Sequence, residues 1–201
     1  ESNTLTFAAE DTLSFNQFTV VLGLAYHDFD AEKIADLDGY TDDSFDPMAG
    51  LTWVGKSGLQ IFGSIAKKTR FPTFADMEDS GQIYRLTPEE NINYTLGAKY
   101  LFFDKTHVSF SGFYNDISDR IGELNNEPTN IDKVEISGVE LETETQITNR
   151  LSIGFDYLYT HARNESDDRE SDYIEDIPEH TIQADLKYMI PMIETLFIIR
   201  G

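Results

Sequence analysis

Two clusters of carboxylates are the most conspicuous groups able to do chemistry. Asp36-Leu37-Asp38-Gly39, followed by Asp42-Asp43 and Asp46, is one, and Asp167-Asp168 with Glu170 and Asp172 is the other. Both gather the hard oxygen ligands that Ca²⁺ takes. Neither keeps the EF-hand spacing, which places the glycine one ligand later, and the reading set against metal binding is a pair of solvated, like-charged loops. Glu140, Glu142 and Glu144, continued by Gln146, form a third array on the face opposite Val139, Leu141, Thr143, Thr145 and Ile147. Unpaired charges of this kind are costly in a dry core; they suit a wet lumen or the solvated side of a sheet. His27, His107, His161 and His180 are read at strand ends or in loops, at surface or interfacial positions, and none has a catalytic context. No Gly-x-Ser-x-Gly elbow and no phosphate-cradling glycine loop occurs, and paired carboxylates are too many to single out. With no cysteine, disulfides, thiol chemistry and Cys-based zinc sites are excluded. No catalytic, cofactor-binding or metal residue is assigned, and the chain is not expected to be an enzyme.

The elements that hold these groups must be read against an acidic balance. Fifteen Lys+Arg stand against 37 Asp+Glu, a formal charge of −22 over 201 residues. Nucleic acid is excluded as a partner, because binding it needs a basic face to displace counterions, and so is polybasic attachment to anionic lipid. The charge is concentrated: residues 28–46 hold eight acids and one base, and 161–180 eight acids and two bases. Charged residues make up 26% and mean hydropathy is −0.38, and no apolar run approaches the roughly 18 residues of a membrane helix. Composition alone therefore suggests a soluble protein. Glu1-Ser2-Asn3-Thr4 leads straight into a polar–apolar alternation with no basic n-region, and Thr195 to Gly201 reads as a strand still running; both ends are read as cut.

Periodicity overturns the soluble reading. Leu151, Ile153, Phe155, Tyr157 and Tyr159 share one face against Ser152, Gly154, Asp156 and Thr160; Ile92 to Phe102 and Ile182 to Ile190 alternate in the same way. This period of two predicts strands near 3–14, 18–28, 47–55, 59–69, 91–103, 107–118, 132–147, 151–162, 180–190 and 194–201. Their connections alternate between short and long. Tight turns fall at Phe15-Asn16-Gln17, Gly55-Lys56-Ser57-Gly58, Phe103-Asp104-Lys105-Thr106, Thr148-Asn149-Arg150 and around Pro191, with long polar loops near 29–46, 70–90, 119–131 and 163–179. Antiparallel strands of about ten residues with every long loop at one end predict an all-β, up-and-down transmembrane β-barrel. A soluble sheet with one solvated face is the alternative. Gly97, Gly112, Gly138 and Gly154, inside strands, are read as architectural, allowing bending or close packing in the lumen.

Five stretches then resemble one family. Arg70-Phe71-Pro72-Thr73-Phe74, Leu86-Thr87-Pro88-Glu89-Glu90 leading into Asn93-Tyr94-Thr95-Leu96-Gly97, Phe113-Tyr114-Asn115-Asp116-Ile117, Ile136-Ser137-Gly138-Val139-Glu140-Leu141-Glu142, and Ile177-Pro178-Glu179-His180 follow one another as in the barrel of TonB-dependent outer-membrane receptors. The resemblance covers essentially the whole chain, most strongly 47–190, and corresponds to the C-terminal part of that barrel. It implies a 22-stranded barrel closed by a plug, which at about 20 residues per strand and connection needs roughly 450 residues. Residues 1–201 are therefore expected to be a partial barrel domain of about ten strands with no plug domain. The resemblance also implies uptake of a scarce nutrient, an iron-siderophore, another metal chelate or cobalamin, across the Gram-negative outer membrane. Its partners would be outer-membrane lipid, a small extracellular ligand met by the loops, and the TonB energy-coupling complex engaged through an absent N-terminal region. A complete small outer-membrane barrel acting as an enzyme or adhesin, and a soluble β-sheet binding protein, are the rival readings.

Overall fold

In the computed structural model the described residues are 2–31, 39–124, 127–167, 172, 174, 177–190 and 195–201. In chain order the elements are β1 (Ser2–Phe15), β2 (Phe18–Ala31), β3 (Tyr40–Val54), β4 (Gln60–Arg70), α1 (Phe74–Met77), β5 (Glu78–Asp79), β6 (Gln82–Ile83), β7 (Glu89–Phe102), β8 (Thr106–Leu124), β9 (Glu127–Thr148), β10 (Leu151–Asn164), β11 (His180–Ile190) and β12 (Thr195–Arg200). Ten of these strands form one sheet in the order β1-β2-β3-β4-β7-β8-β9-β10-β11-β12, while β5 and β6 pair separately. Every pairing is antiparallel. Among the described residues β1 and β12 each have one neighbour, so the sheet is open at both edges.

The register sorts the side chains into two faces. Partners across an antiparallel ladder lie on the same side, so Phe7, Tyr26 and Phe45 share one face, as do Ile65, Tyr94 and Tyr114. This outward face holds most of the exposed large apolar side chains, among them Leu22, Leu51, Leu96, Phe110 and Ile182. So much apolar area open to water would be an aggregation hazard in a soluble protein; against lipid it is required. Aromatic rings bound the band. At the end of the short turns stand Phe15, Phe18, Trp53, Tyr100 and Phe102, with Phe15 and Phe18 stacked at 5.6 Å and Tyr100 edge-to-face with Phe102 at 4.6 Å. At the other end Tyr26 lies 4.9 Å from Phe45, Tyr94 6.1 Å from Tyr114, and Tyr159 5.3 Å from His180. Phe18 to Tyr26 is about 27 Å along the strand, or about 20 Å of height at a tilt of roughly 40°, close to the apolar band of an outer-membrane barrel. Asp11, paired with Leu22, is the one charged residue within that band among the described residues.

The strands outrun the predicted loops at two places. Residues 29–46 and 119–131 were expected to be loops, yet β2 continues to Ala31, β3 begins at Tyr40, β8 reaches Leu124 and β9 starts at Glu127. Past the aromatic ring both faces meet water, so apolar alternation lapses although the ladder does not. Asp28 opposite Asp43 and Asp116 opposite Glu135 show this on the outward face. From Tyr114 to Leu124 β8 rises about 34 Å along its axis, so the β8–β9 hairpin projects well clear of the band. The tight turn around Pro191 lies outside the described residues.

Candidate functional site

Inside the barrel wall the carboxylate array takes the position its alternation demanded. Glu140, Glu142 and Glu144 pair with Ser111, Ser109 and His107 on β8 and with Leu158, Asp156 and Gly154 on β10. Lys187 of β11 reaches across Gly154 to Glu144 at 2.7 Å, and the Arg200 Nε lies 2.8 Å from Asp185. Gly154 stands between Glu144 and Asp185 in the ladder, and a Cβ there would meet the Asp185 side chain at 3.4 Å. Lys99, 5.2 Å above the Phe62 ring, His107 and Asp156 complete a polar hollow of 680 Å³ on this face. A row of acids with a few bridging bases is the surface of a wet lumen.

Higher on the same face, His27 joins four strands. The Thr6 hydroxyl lies 2.9 Å from His27 Nδ1, and His27 Nε2 is 3.5 Å from Asp46, whose carboxylate accepts from both the amide and the hydroxyl of Thr69 at 2.8 Å. The β3–β4 ladder ends at the Met48–Ala66 pair, and Pro47, with no N–H to give, stands immediately beyond it. The Asp46 side chain therefore takes over where backbone pairing stops. Phe71 packs on the buried Phe29 at 4.7 Å, tying the chain after β4 to β2.

The rim beyond β4 joins residues that carried the resemblance, Arg70, Thr73, Leu86, Thr87 and Glu89, to others that did not. Thr73 caps α1 and shares a capping box with Asp76. Arg70 pairs with Asp76 and lies 3.9 Å from Glu89, which accepts the Ile121 amide at 2.9 Å. Met77, Leu86 and Ile121 form a buried apolar cluster with Ile83 against it. Asn130 fastens the same segment to β9: its Oδ1 accepts from Thr87 N at 2.8 Å, and its Nδ2 donates to Thr87 O at 3.0 Å and Asp119 O at 2.7 Å. A second cluster, Ile117, Ile131, Val134 and Ile174, ties the chain after β10 to the same hairpin. The connection between β4 and β7 is thus a folded shelf against the projecting hairpin.

Two outcomes follow locally. Asn130→Ala removes three hydrogen bonds, of which those at Thr87 pass to water, so the cost is about 1–2 kcal/mol, confined to the shelf. Hydrogen exchange at Thr87 and protease cleavage within 78–88 should rise while the melting of the barrel stays unchanged; unaltered exchange there would remove the clamp. At Asp76, burial works against the charge, but hydrogen bonds from the Thr73 hydroxyl and amide, with Arg70 beside them, outweigh it and hold the carboxyl below its usual range. A carboxylate depressed in the folded state stabilises above its unfolded value, about pH 4, and that stability is lost as pH falls through the lower folded value. In an NMR titration the Thr73 amide should therefore start to move only below about pH 4; a midpoint above it would contradict the capping box.

The structure separates the residues of the first acidic cluster. Asp42 and Asp46 lie on the inward face and Asp43 on the outward face, because residues 42–46 are strand rather than loop. Asp36 and Asp38 lie outside the described residues, as do Asp168 and Glu170 of the second cluster. Among the described residues no three His, Asp or Glu side chains converge as a metal site would require. The histidines are all within strands, none in a loop. His27 and His107 face inward, while His161 and His180 face outward, and His180 Nδ1 lies 2.9 Å from the Tyr157 hydroxyl. The Asn130 clamp escaped sequence reasoning, since no periodicity links residue 130 to residue 87.

A lipid-facing band between two aromatic rings, a charged inner face and short turns at one end define a transmembrane β-barrel wall of the outer-membrane type. The TonB dependent receptor-like β-barrel family model matches residues 1–192, and the chain belongs to that family, one of receptors rather than enzymes. It is accordingly a protein of the Gram-negative outer membrane. The iron-regulated outer membrane virulence protein of Vibrio cholerae serotype O1 is 25% identical over 166 residues, 72% of this chain and 25% of that protein. Among solved structures, the copper transporter OprC superposes with a TM-score of 0.75 at 20% identity, over 93% of this chain and 32% of that one. The ferric yersiniabactin uptake receptor FyuA from Yersinia pestis gives 0.72 at 15%, over 99% and 33%. The chain thus spans about a quarter of the curated relative's length and about a third of each of these two solved chains.

Proposed function

We propose that residues 1–201 form one part of the barrel domain of an active transporter that takes up a scarce nutrient: an iron-siderophore, another metal chelate or a cobalamin. The observation that carries this reading is a charged inner face on a wall whose outer face is apolar, which suits passage of a polar ligand. Membership of the family and the iron- and copper-related names of its relatives support it. In the intact protein a plug and a coupling segment outside these residues would close the barrel and engage the TonB complex. The segment between β2 and β3, the segment between β4 and β7, the β8–β9 hairpin and the segment between β10 and β11 would meet the ligand from outside. Acids concentrated there favour cationic or neutral over anionic ligands.

The test is uptake of labelled ferric siderophores, copper and cobalamin by cells carrying or lacking the intact gene, with and without a working TonB complex. Uptake of at least one that needs both supports the reading. Equal uptake of all of them in cells lacking the gene would overturn it.

A further inference from the structure

The outward face carries a groove over β8. Gly112 of β8 lies between Leu96 of β7 and Val139 of β9, and over it opens a groove of 720 Å³ walled by Tyr94, Leu96, Phe110, Tyr114 and Val139. Leu96, Phe110 and Tyr94 are exposed side chains. Neither packing nor backbone requires a glycine here. A Cβ on Gly112 would meet only the Gly138 carbonyl, at an ordinary 3.7 Å, whereas one on Gly138 would lie 2.2 Å from the Tyr159 carbonyl. Nor does Gly112 have the positive φ found at Gly58 and Gly81. An interior strand glycine still costs roughly 0.5–1 kcal/mol relative to alanine. At Gly112 that cost yields open space on the membrane side. Leu96 widens it by lying over the other small neighbour, its Cδ1 3.5 Å from where a Cβ of Gly63 would stand.

We propose that this groove seats an acyl chain of an outer-leaflet lipid. Its walls are continuous with the lipid-facing band, so hydrocarbon is the medium that meets it. It opens directly beneath Tyr94 and Tyr114, two residues above Gly112 in the ring bounding the extracellular side, which places it in the outer half of the bilayer. Inside a membrane the gain comes from close contact rather than from leaving water, and a groove without a side chain on its floor provides that contact to a straight chain.

The experiment uses the intact receptor in nanodiscs containing lipid A and phosphatidylethanolamine, with bound lipid read by native mass spectrometry. The wild type should retain a lipid A adduct. Gly112→Phe, which fills the groove, and Phe110→Ala, which removes a wall, should each lower the bound fraction roughly tenfold, equivalent to about 1.4 kcal/mol. Ile61→Phe, elsewhere on the same face, should not. Heat-modifiable gel mobility shows which variants are folded, and Phe110→Ala decides the matter if Gly112→Phe is not. No adduct, an adduct kept by the folded groove variants, phosphatidylethanolamine alone, or a receptor dimer in place of lipid would each overturn the proposal.

Discussion

Phe110→Arg is expected to destabilise the barrel in a bilayer by about 2–4 kcal/mol. In a soluble protein the same change would be mild, since the side chain is already 53% exposed and surface substitutions usually fall within about 0.5 kcal/mol. The size of the effect therefore reports the solvent. Phe110 pairs with Ala98 and Leu141 and lies four residues from Tyr114, while Ala98 lies four from both Tyr94 and Phe102. That is mid-height, where no water or anionic partner reaches a guanidinium. Ser109→Arg, one residue away, points inward beside Glu142 and should be nearly neutral. Denaturant titration of the intact receptor in vesicles, followed by gel mobility, measures both. Equal, small effects would mean that the outward face is wet.

Gly138→Val should prevent assembly or cost about 3 kcal/mol or more. A Cβ on Gly138 would fall 2.2 Å from the Tyr159 carbonyl oxygen and 2.5 Å from the Phe113 ring. The carbonyl cannot withdraw, because β9 is laddered to β8 on one side and to β10 on the other. Phe113→Ala removes only the ring contact, so the double variant should recover part of the loss. Gly112→Val is the control; it adds a side chain on the same hairpin where the atom nearest a Cβ, the Gly138 carbonyl oxygen, is 3.7 Å away. Failure of heat-modifiable mobility in Gly138→Val alone is the expected pattern, whereas comparable behaviour of the two would dissolve the distinction between the glycines.

Both results turn on how far side chains can be read from order along the chain. The alternation in β7, β10 and β11 was legible because one face meets hydrocarbon and the other water, a contrast that forces polar and apolar residues to take turns. Above the aromatic ring the contrast disappears, and the outer halves of β8 and β9 looked like loop. The inward glutamates were legible as a face, but not their bridging by Lys187 from two strands away. Arg70 to Phe74 was visible as a family stretch, and the capping box of Thr73 with Asp76 only as geometry.

By itself, then, the sequence determined the class of fold, the membrane it occupies and the sidedness of most strands, because solvent contrast acts residue by residue at a period of two. Tertiary structure decided what depends on distance between strands. It separated Asp42 and Asp46 from Asp43 and clamped Thr87 to Asn130. It distinguished a glycine pressed against a carbonyl at 138 from one that leaves a groove at 112. Those contacts join residues that no local pattern couples, since in a sheet the nearest neighbour of a side chain is set by ladder register.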